Sequence, residues 1–199
     1  MKKKCAIGIF GGTFNPIHNV HLEMAKLAKK KLDLKKVIFV PAARPPHKKI
    51  EEKVTPEERY RMTCLAVIPW AGFCVSDEEL KQPGKSYSVK TVESFKGKFG
   101  PGAEIFFIIG SDSLTELFTW RKIDRLLRLC KFIVFRRPNF PIKSPMKHLK
   151  DKLEIIPMLP QKISSTEIRK MIKNGRSISR FVPATVERFI QKRKLYRAS

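Results

Sequence analysis

Short apolar runs that do not alternate, set between stretches with helical spacing, constrain this chain more than any other feature. Cys5 to Phe10, Val37 to Val40, Ile105 to Ile109 and Phe132 to Phe135 are β-branched or aromatic-rich and unbroken by polar residues. A strand with one wet face alternates, whereas an unbroken apolar strand is covered on both faces, as in a parallel sheet. Gly72 to Val75 and Leu153 to Ile156 are weaker strands of the same kind. Between these runs lie amphipathic patterns. Val20, Met24, Leu27 and Ala28 share one helical face with lysines opposite. Glu57 to Val67, Val89 to Phe95, Ile123 to Leu129, Thr166 to Ile172 and Val186 to Ile190 read the same way. The βαβα alternation predicts an α/β fold, a doubly wound parallel sheet with helices on both faces. No internal repeat or domain boundary interrupts it, so a single domain over residues 1–199 is expected. Ligands of such folds bind beyond the carboxyl ends of the strands.

Composition narrows the class. The 199 residues carry 42 Lys and Arg against 18 Asp and Glu, a formal net charge of +24. That charge favours anionic partners such as phosphates, nucleotides or nucleic acids without choosing among them. No apolar run reaches the roughly 18 residues that span a bilayer. The apolar stretch after Met1-Lys2-Lys3-Lys4 is too short for a signal peptide, so a cytoplasmic chain with no membrane partner is expected. Cys5, Cys64, Cys74 and Cys130 are isolated, which suggests neither a zinc site nor a disulfide framework.

The segment most informative about chemistry is Gly11-Gly12-Thr13-Phe14-Asn15-Pro16-Ile17-His18-Asn19-Val20-His21. It leaves the first strand and enters the first helix. Two glycines let backbone approach a ligand closely. The unpaired N–H groups of a turn and a helix start attract anions. His18 and His21 are three apart and project from one face of the first turn. A nearby phosphate favours imidazolium by about 4 kcal/mol at 4 Å, against about 0.3–1 kcal/mol of opposition from the helix end. Other phosphate motifs fit worse. Gly84-Lys85-Ser86 ends like a Walker A loop, but Glu79 stands where its first glycine belongs. A metal site on His18 and His21 has no third ligand nearby in the sequence.

Gly-Gly-Thr-Phe-Asn-Pro-Ile-His-x-x-His resembles the signature of the nucleotidyltransferase superfamily related to class I aminoacyl-tRNA synthetases, with Val20 where that family usually has Gly and Asn15 where bacterial members mostly have Asp. The resemblance implies a Rossmann-like nucleotidyltransferase fold.

A second segment, Ile163-Ser164-Ser165-Thr166-Glu167-Ile168-Arg169, opens a late helix. Ser164-x-x-Glu167 is a capping-box pattern. Capping does not call for Arg169, whose guanidinium could fork onto a phosphate at that helix start. The segment resembles the Ile-Ser-Ser-Thr-x-Ile-Arg motif of bacterial nicotinate-nucleotide adenylyltransferases. Pro45-Pro46-His47-Lys48, Ser86-Tyr87-Ser88, Gly110-Ser111-Asp112-Ser113-Leu114 with Trp120, and Arg136-Arg137-Pro138 also match that family in order. Lys90 stands where the family often has Asp or Gln.

That resemblance implies AMP transfer from ATP to nicotinate mononucleotide, giving nicotinate adenine dinucleotide and pyrophosphate in NAD biosynthesis. It implies His18, His21 and Arg169 as catalytic residues. It places ATP on Gly11, Gly12, Thr13, Phe14, Gly110, Asp112, Ser165 and Thr166, and the acceptor on His47, Lys48, Tyr87, Ser88, Trp120 and Arg137. Residues from about 163 to 199 would complete the ATP site. Mg²⁺ would accompany ATP, with few protein ligands. The expected partners are ATP and nicotinate mononucleotide; a homo-oligomer is compatible, and a specific nucleic acid is not expected. The rival readings are a nicotinamide-nucleotide or pantetheine-phosphate adenylyltransferase, a cytidylyltransferase, or a basic nucleic-acid-binding protein.

Overall fold

The structure is a computed structural model describing residues 5–46, 50, 54–136, 149, 151–158 and 163–197. Its sheet has six strands in the order β3-β2-β1-β4-β5-β6. These are β1 (Ala6–Gly12), β2 (Lys36–Pro41), β3 (Phe73–Val75), β4 (Glu104–Gly110), β5 (Lys131–Arg136) and β6 (Leu153–Pro157). β1 pairs parallel to β4 with Ile9 opposite Phe107, and β4 to β5 with Ile109 opposite Val134. β5 pairs parallel to β6 with Val134 opposite Ile155. Each strand contains its predicted run or most of it. The unbroken patterns have the expected cause: Val37 to Val40, Ile105 to Ile109 and Phe132 to Phe135 are buried at every position.

The helices are α1 (Asn19–Lys31), α2 (Pro56–Val67), α3 (Glu78–Lys81), α4 (Ser88–Phe99), α5 (Ser111–Thr115), α6 (Ile123–Leu129), α7 (Ser165–Lys173) and α8 (Ala184–Lys192). The six predicted helices are present. α3, α5 and a 3-10 turn at Leu117–Thr119 were not anticipated. They are too short to show a period. On α1 the buried positions are Leu22, Met24, Ala25 and Ala28, while Leu27 is half out of the core.

The chain divides into two compact units. The first takes the described residues of Met1–Gly11, Ala25–Ile38 and Tyr87–Gln161. Here Arg125 pairs with Glu93, tying α6 to α4, and Lys131 pairs with Glu104 at 2.8 Å between neighbouring strands. A Cβ on Gly8 would lie 2.9 Å from Leu34 Cδ1, so the strand needs glycine there.

The second unit takes those of Gly12–Met24, Phe39–Ser86 and Lys162–Ser199. α2 starts with a full capping box: Thr55 Oγ1 accepts from the Glu58 N–H at 3.2 Å, and Glu58 Oε2 accepts from the Thr55 N–H at 3.1 Å. Pro56 follows at the first helical position, where its missing N–H costs nothing. α8 joins α2 through Thr185, whose hydroxyl donates to the Leu65 carbonyl at 3.0 Å, and Arg193, 3.3 Å from Glu58.

Candidate active site

The turn after β1 is built by exclusion. A Cβ on Gly11 would lie 2.8 Å from the Phe107 ring, and one on Gly12 would lie 2.9 Å from the Phe14 ring. Contacts this short leave no room for a side chain, so backbone alone occupies the turn. Phe14 then adopts a left-handed conformation with φ 45°, and the Asn15-Pro16 peptide is cis. The chain enters α1 at Asn19, whose N–H donates to the Phe181 carbonyl at 2.8 Å.

His18 and His21 come together as predicted. Their rings stack with centroids 3.8 Å apart and planes at 29°. His18 is 5% exposed and His21 is half-buried. The His18 N–H donates to His21 Nδ1 at 3.2 Å. An accepting Nδ1 carries no proton, so the neutral ring holds its proton on Nε2. Phe14 sets its ring edge against His21 at 5.1 Å and leans on Phe39 at 5.8 Å. Phe14 is itself buried, so its side chain backs the histidine.

α7 closes on the same turn. Ser164 caps it, accepting from the Glu167 N–H at 3.2 Å. Ser165 Oγ donates to the Pro16 carbonyl at 3.0 Å, and Arg169 Nη1 to the Asn15 carbonyl at 3.1 Å. Arg169 Nη2 reaches Thr166 Oγ1 at 3.5 Å. Gly12, Thr13, Phe14, His18, His21, Ser165, Thr166 and Arg169 are thus gathered within the second unit.

Gly11, Gly110, Asp112, Tyr87, Ser88 and Trp120 belong to the first unit. Gly110 ends β4 and precedes α5, with Asp112 exposed in the first turn of that helix. Tyr87 precedes α4, Ser88 begins it, and Arg121 Cζ lies 4.7 Å over the Tyr87 ring. Trp120 meets Phe107 at 5.9 Å and Phe132 at 6.4 Å, both edge-on, so it is anchored to the core. His47, Lys48 and Arg137 lie outside the described residues.

Sequence reasoning missed two participants. Arg59 in α2 is 0% exposed. Its Nη1 donates to the carbonyls of Thr13 at 2.8 Å and Ala42 at 2.6 Å, and its Nη2 to that of Ala43 at 3.1 Å. Burial lowers its pKa from the usual guanidinium value, and Tyr196, Glu57 and Glu79 oppose that shift. The available signal was its spacing from Met62, Thr63 and Ala66, the buried face of α2. Tyr196 is the second: its hydroxyl donates to Asn15 Oδ1 at 2.7 Å.

Among the described residues, no cluster of three or more His, Cys, Asp or Glu side chains could hold a metal ion. No described helix is long and apolar enough to cross a membrane.

A glycine turn beside stacked histidines, with a capped helix returning an arginine to it, has the features of a phosphate-handling α/β protein. Residues 9–171 match the family model described as cytidylyltransferase-like. A curated relative from Moorella thermoacetica, named "Probable nicotinate-nucleotide adenylyltransferase", is 41% identical over 96% of this chain and 91% of its own length. One of the same name from Thermus thermophilus is 43% identical over 96% and 99%. This chain belongs to the nicotinate-nucleotide adenylyltransferase family. The fold is shared with Plasmodium falciparum nicotinic acid mononucleotide adenylyltransferase, solved with NaAD, at a TM-score of 0.80, 20% identity and coverage of 96% and 97%.

Proposed function

We propose that this enzyme transfers AMP from ATP to nicotinate mononucleotide, releasing pyrophosphate and forming nicotinate adenine dinucleotide. The observation that carries the reading is the His18–His21 stack on the Gly12–Thr13 turn, with Ser165 and Arg169 bonded to residues 15 and 16 of the same segment. His21 Nε2–H, the Arg169 guanidinium and the main-chain N–H groups of the turn are donors or cations, which suits a triphosphate. The family relationship supplies the acceptor.

The acceptor phosphate oxygen attacks the α-phosphorus of ATP in line. A new P–O bond forms as the bond to the β-phosphate bridging oxygen breaks. This chemistry rests on positioning and charge stabilisation and needs no protein nucleophile. His21, with Nδ1 turned to the His18 main-chain N–H, presents Nε2–H to the phosphates. A phosphate about 4 Å away favours imidazolium by about 4 kcal/mol, more than the about 0.5–1.5 kcal/mol of that hydrogen bond. Arg169 steadies the phosphates from α7, and the Thr13 amide assists. The described residues form no carboxylate cage, so Mg²⁺ would be held largely by ATP oxygens, where it neutralises charge.

The rest of the assignment extends this reading. Gly110 and Asp112 bind adenosine, and Tyr87, Ser88, Trp120, His47, Lys48 and Arg137 bind the acceptor. The chain works as a single nucleotidyltransferase domain in the cytoplasm, with residues 163–199 completing the ATP site. The test is pyrophosphate release with ATP and Mg²⁺, comparing nicotinate mononucleotide, nicotinamide mononucleotide and phosphopantetheine. Preference for the nicotinate acceptor is expected. Preference for either other acceptor would keep the phosphate chemistry and overturn the acceptor assignment. Salt-sensitive nucleic-acid binding without turnover would overturn both.

A further inference from the structure

Three carbonyls from two separate segments converge on one buried side chain. Arg59 takes Thr13 from the turn after β1, and Ala42 and Ala43 from the loop after β2. A further bond joins the same segments, the Ala42 N–H donating to the Gly12 carbonyl at 2.8 Å. In a trans peptide the C=O and the following N–H point in opposite directions. The Gly12 carbonyl faces Ala42, so the Thr13 N–H faces the other way. The Ala43 carbonyl faces Arg59, so the Arg44 N–H faces away from it, and that N–H donates to Ser86 Oγ at 3.2 Å. Both segments are therefore held with their peptide planes fixed.

A guanidinium is an expensive way to achieve this if stability were the only gain. No carboxylate pairs with Arg59 within 4 Å among the described residues, and its Nε is buried without a hydrogen-bond partner there. Buried charges are ordinarily paired. A glutamine amide offers two N–H groups and a lysine offers three around one point. The planar fork spreads its donors over two fixed nitrogens, Nη1 on Thr13 and Ala42 and Nη2 on Ala43, which neither of those side chains reproduces.

We infer that Arg59 is a positioning residue that joins the ATP-facing turn at residues 12–13 to the loop at residues 42–44, so that one buried cation sets both substrate subsites. This rests on the function proposed above, in which the turn faces ATP and the loop leads through Pro45-Pro46 to the acceptor contacts. Arg59 touches neither substrate. It acts through backbone it holds in place.

The experiment is kinetics on Arg59→Gln and Arg59→Lys with ATP and nicotinate mononucleotide, alongside thermal unfolding. Measured well below each variant's Tm, where the sample is folded, KM separates positioning from stability. The Gln variant should raise the KM for both substrates by about tenfold or more, the scale of lost charge-assisted hydrogen bonds. The Lys variant, which keeps the charge but not the fork, should fall between Gln and the native enzyme. A lowered Tm with both KM values within twofold of native would overturn the inference, and so would a rise in only one KM. If neither variant folds, amide exchange in the native chain decides. ATP should slow the Thr13 amide, while the Ala42 amide is already slow without it. A Thr13 amide unaffected at saturating ATP, or an Ala42 amide that exchanges freely, overturns the inference. A native enzyme that binds ATP but never uses nicotinate mononucleotide would instead sink the proposed acceptor.

Discussion

The Tyr196 hydroxyl donates to Asn15 Oδ1 at 2.7 Å, joining buried residues 181 positions apart. The phenol thereby fastens the C-terminal segment to the turn that carries the histidines. Removing the hydroxyl from Tyr196→Phe should cost about 0.5–1.5 kcal/mol, the net worth of one hydrogen bond between such groups. A urea midpoint unchanged from native would show that the bond contributes nothing.

The His18 ring stacks on His21, while its main-chain N–H, which survives substitution, holds His21 Nδ1. His18→Ala should lower kcat by about 100-fold or more, the low end for loss of a preorganised donor. The measurement is steady-state pyrophosphate release at saturating ATP. Turnover within tenfold of native would remove His18 from the mechanism.

Two glycines of the first unit make opposite predictions. A Cβ on Gly11 meets the buried Phe107 ring, which Trp120 and Phe132 hold in place. Gly11→Ala should destabilise by about 1–3 kcal/mol, as overpacking does. Gly97 lies inside α4 with nothing within 4 Å of an added Cβ. Gly97→Ala should stabilise by about 0.5–1 kcal/mol, the difference in helix propensity. Thermal unfolding of the pair tests both signs.

Burial pushes the pKa of the Cys130 thiol up to about 12, well above the ordinary thiol range. The native chain should keep this thiol unreactive toward a disulfide reagent at pH 8, whereas the unfolded chain exposes it. The sign of the stability effect follows. Below pH 9 both states hold the proton and nothing changes. Between pH 9 and about 12 the unfolded chain gives it up while the folded chain retains it, so stability falls as pH rises. Urea midpoints from pH 8 to pH 10.5 should decline more steeply for the native chain than for Cys130→Ala. Parallel slopes would contradict it.

The strands were legible because burial on both faces leaves an unbroken apolar run, as in Phe132 to Phe135. The paired histidines and the Ser164 cap were legible for a similar reason: each is satisfied by a partner three positions away. α5 gave no such signal, since five residues are too few for a period. The bond from Arg169 to Asn15 links residues 154 apart, and only the folded chain shows which carbonyl it takes.

By itself the sequence determined what local geometry determines: a parallel α/β sheet, backbone without side chains at residues 11–12, and two imidazoles on one helical turn. Tertiary structure alone decided what the buried charged residue binds. Arg59 sits among Glu57, Glu58 and Arg61 and by composition reads as one more solvated side chain of a basic protein. Its partners are 46, 17 and 16 residues away. Its spacing places it on the buried face of α2, but hydrogen bonds over such separations leave no local pattern that names its partners, because those carbonyls converge only after the chain has folded.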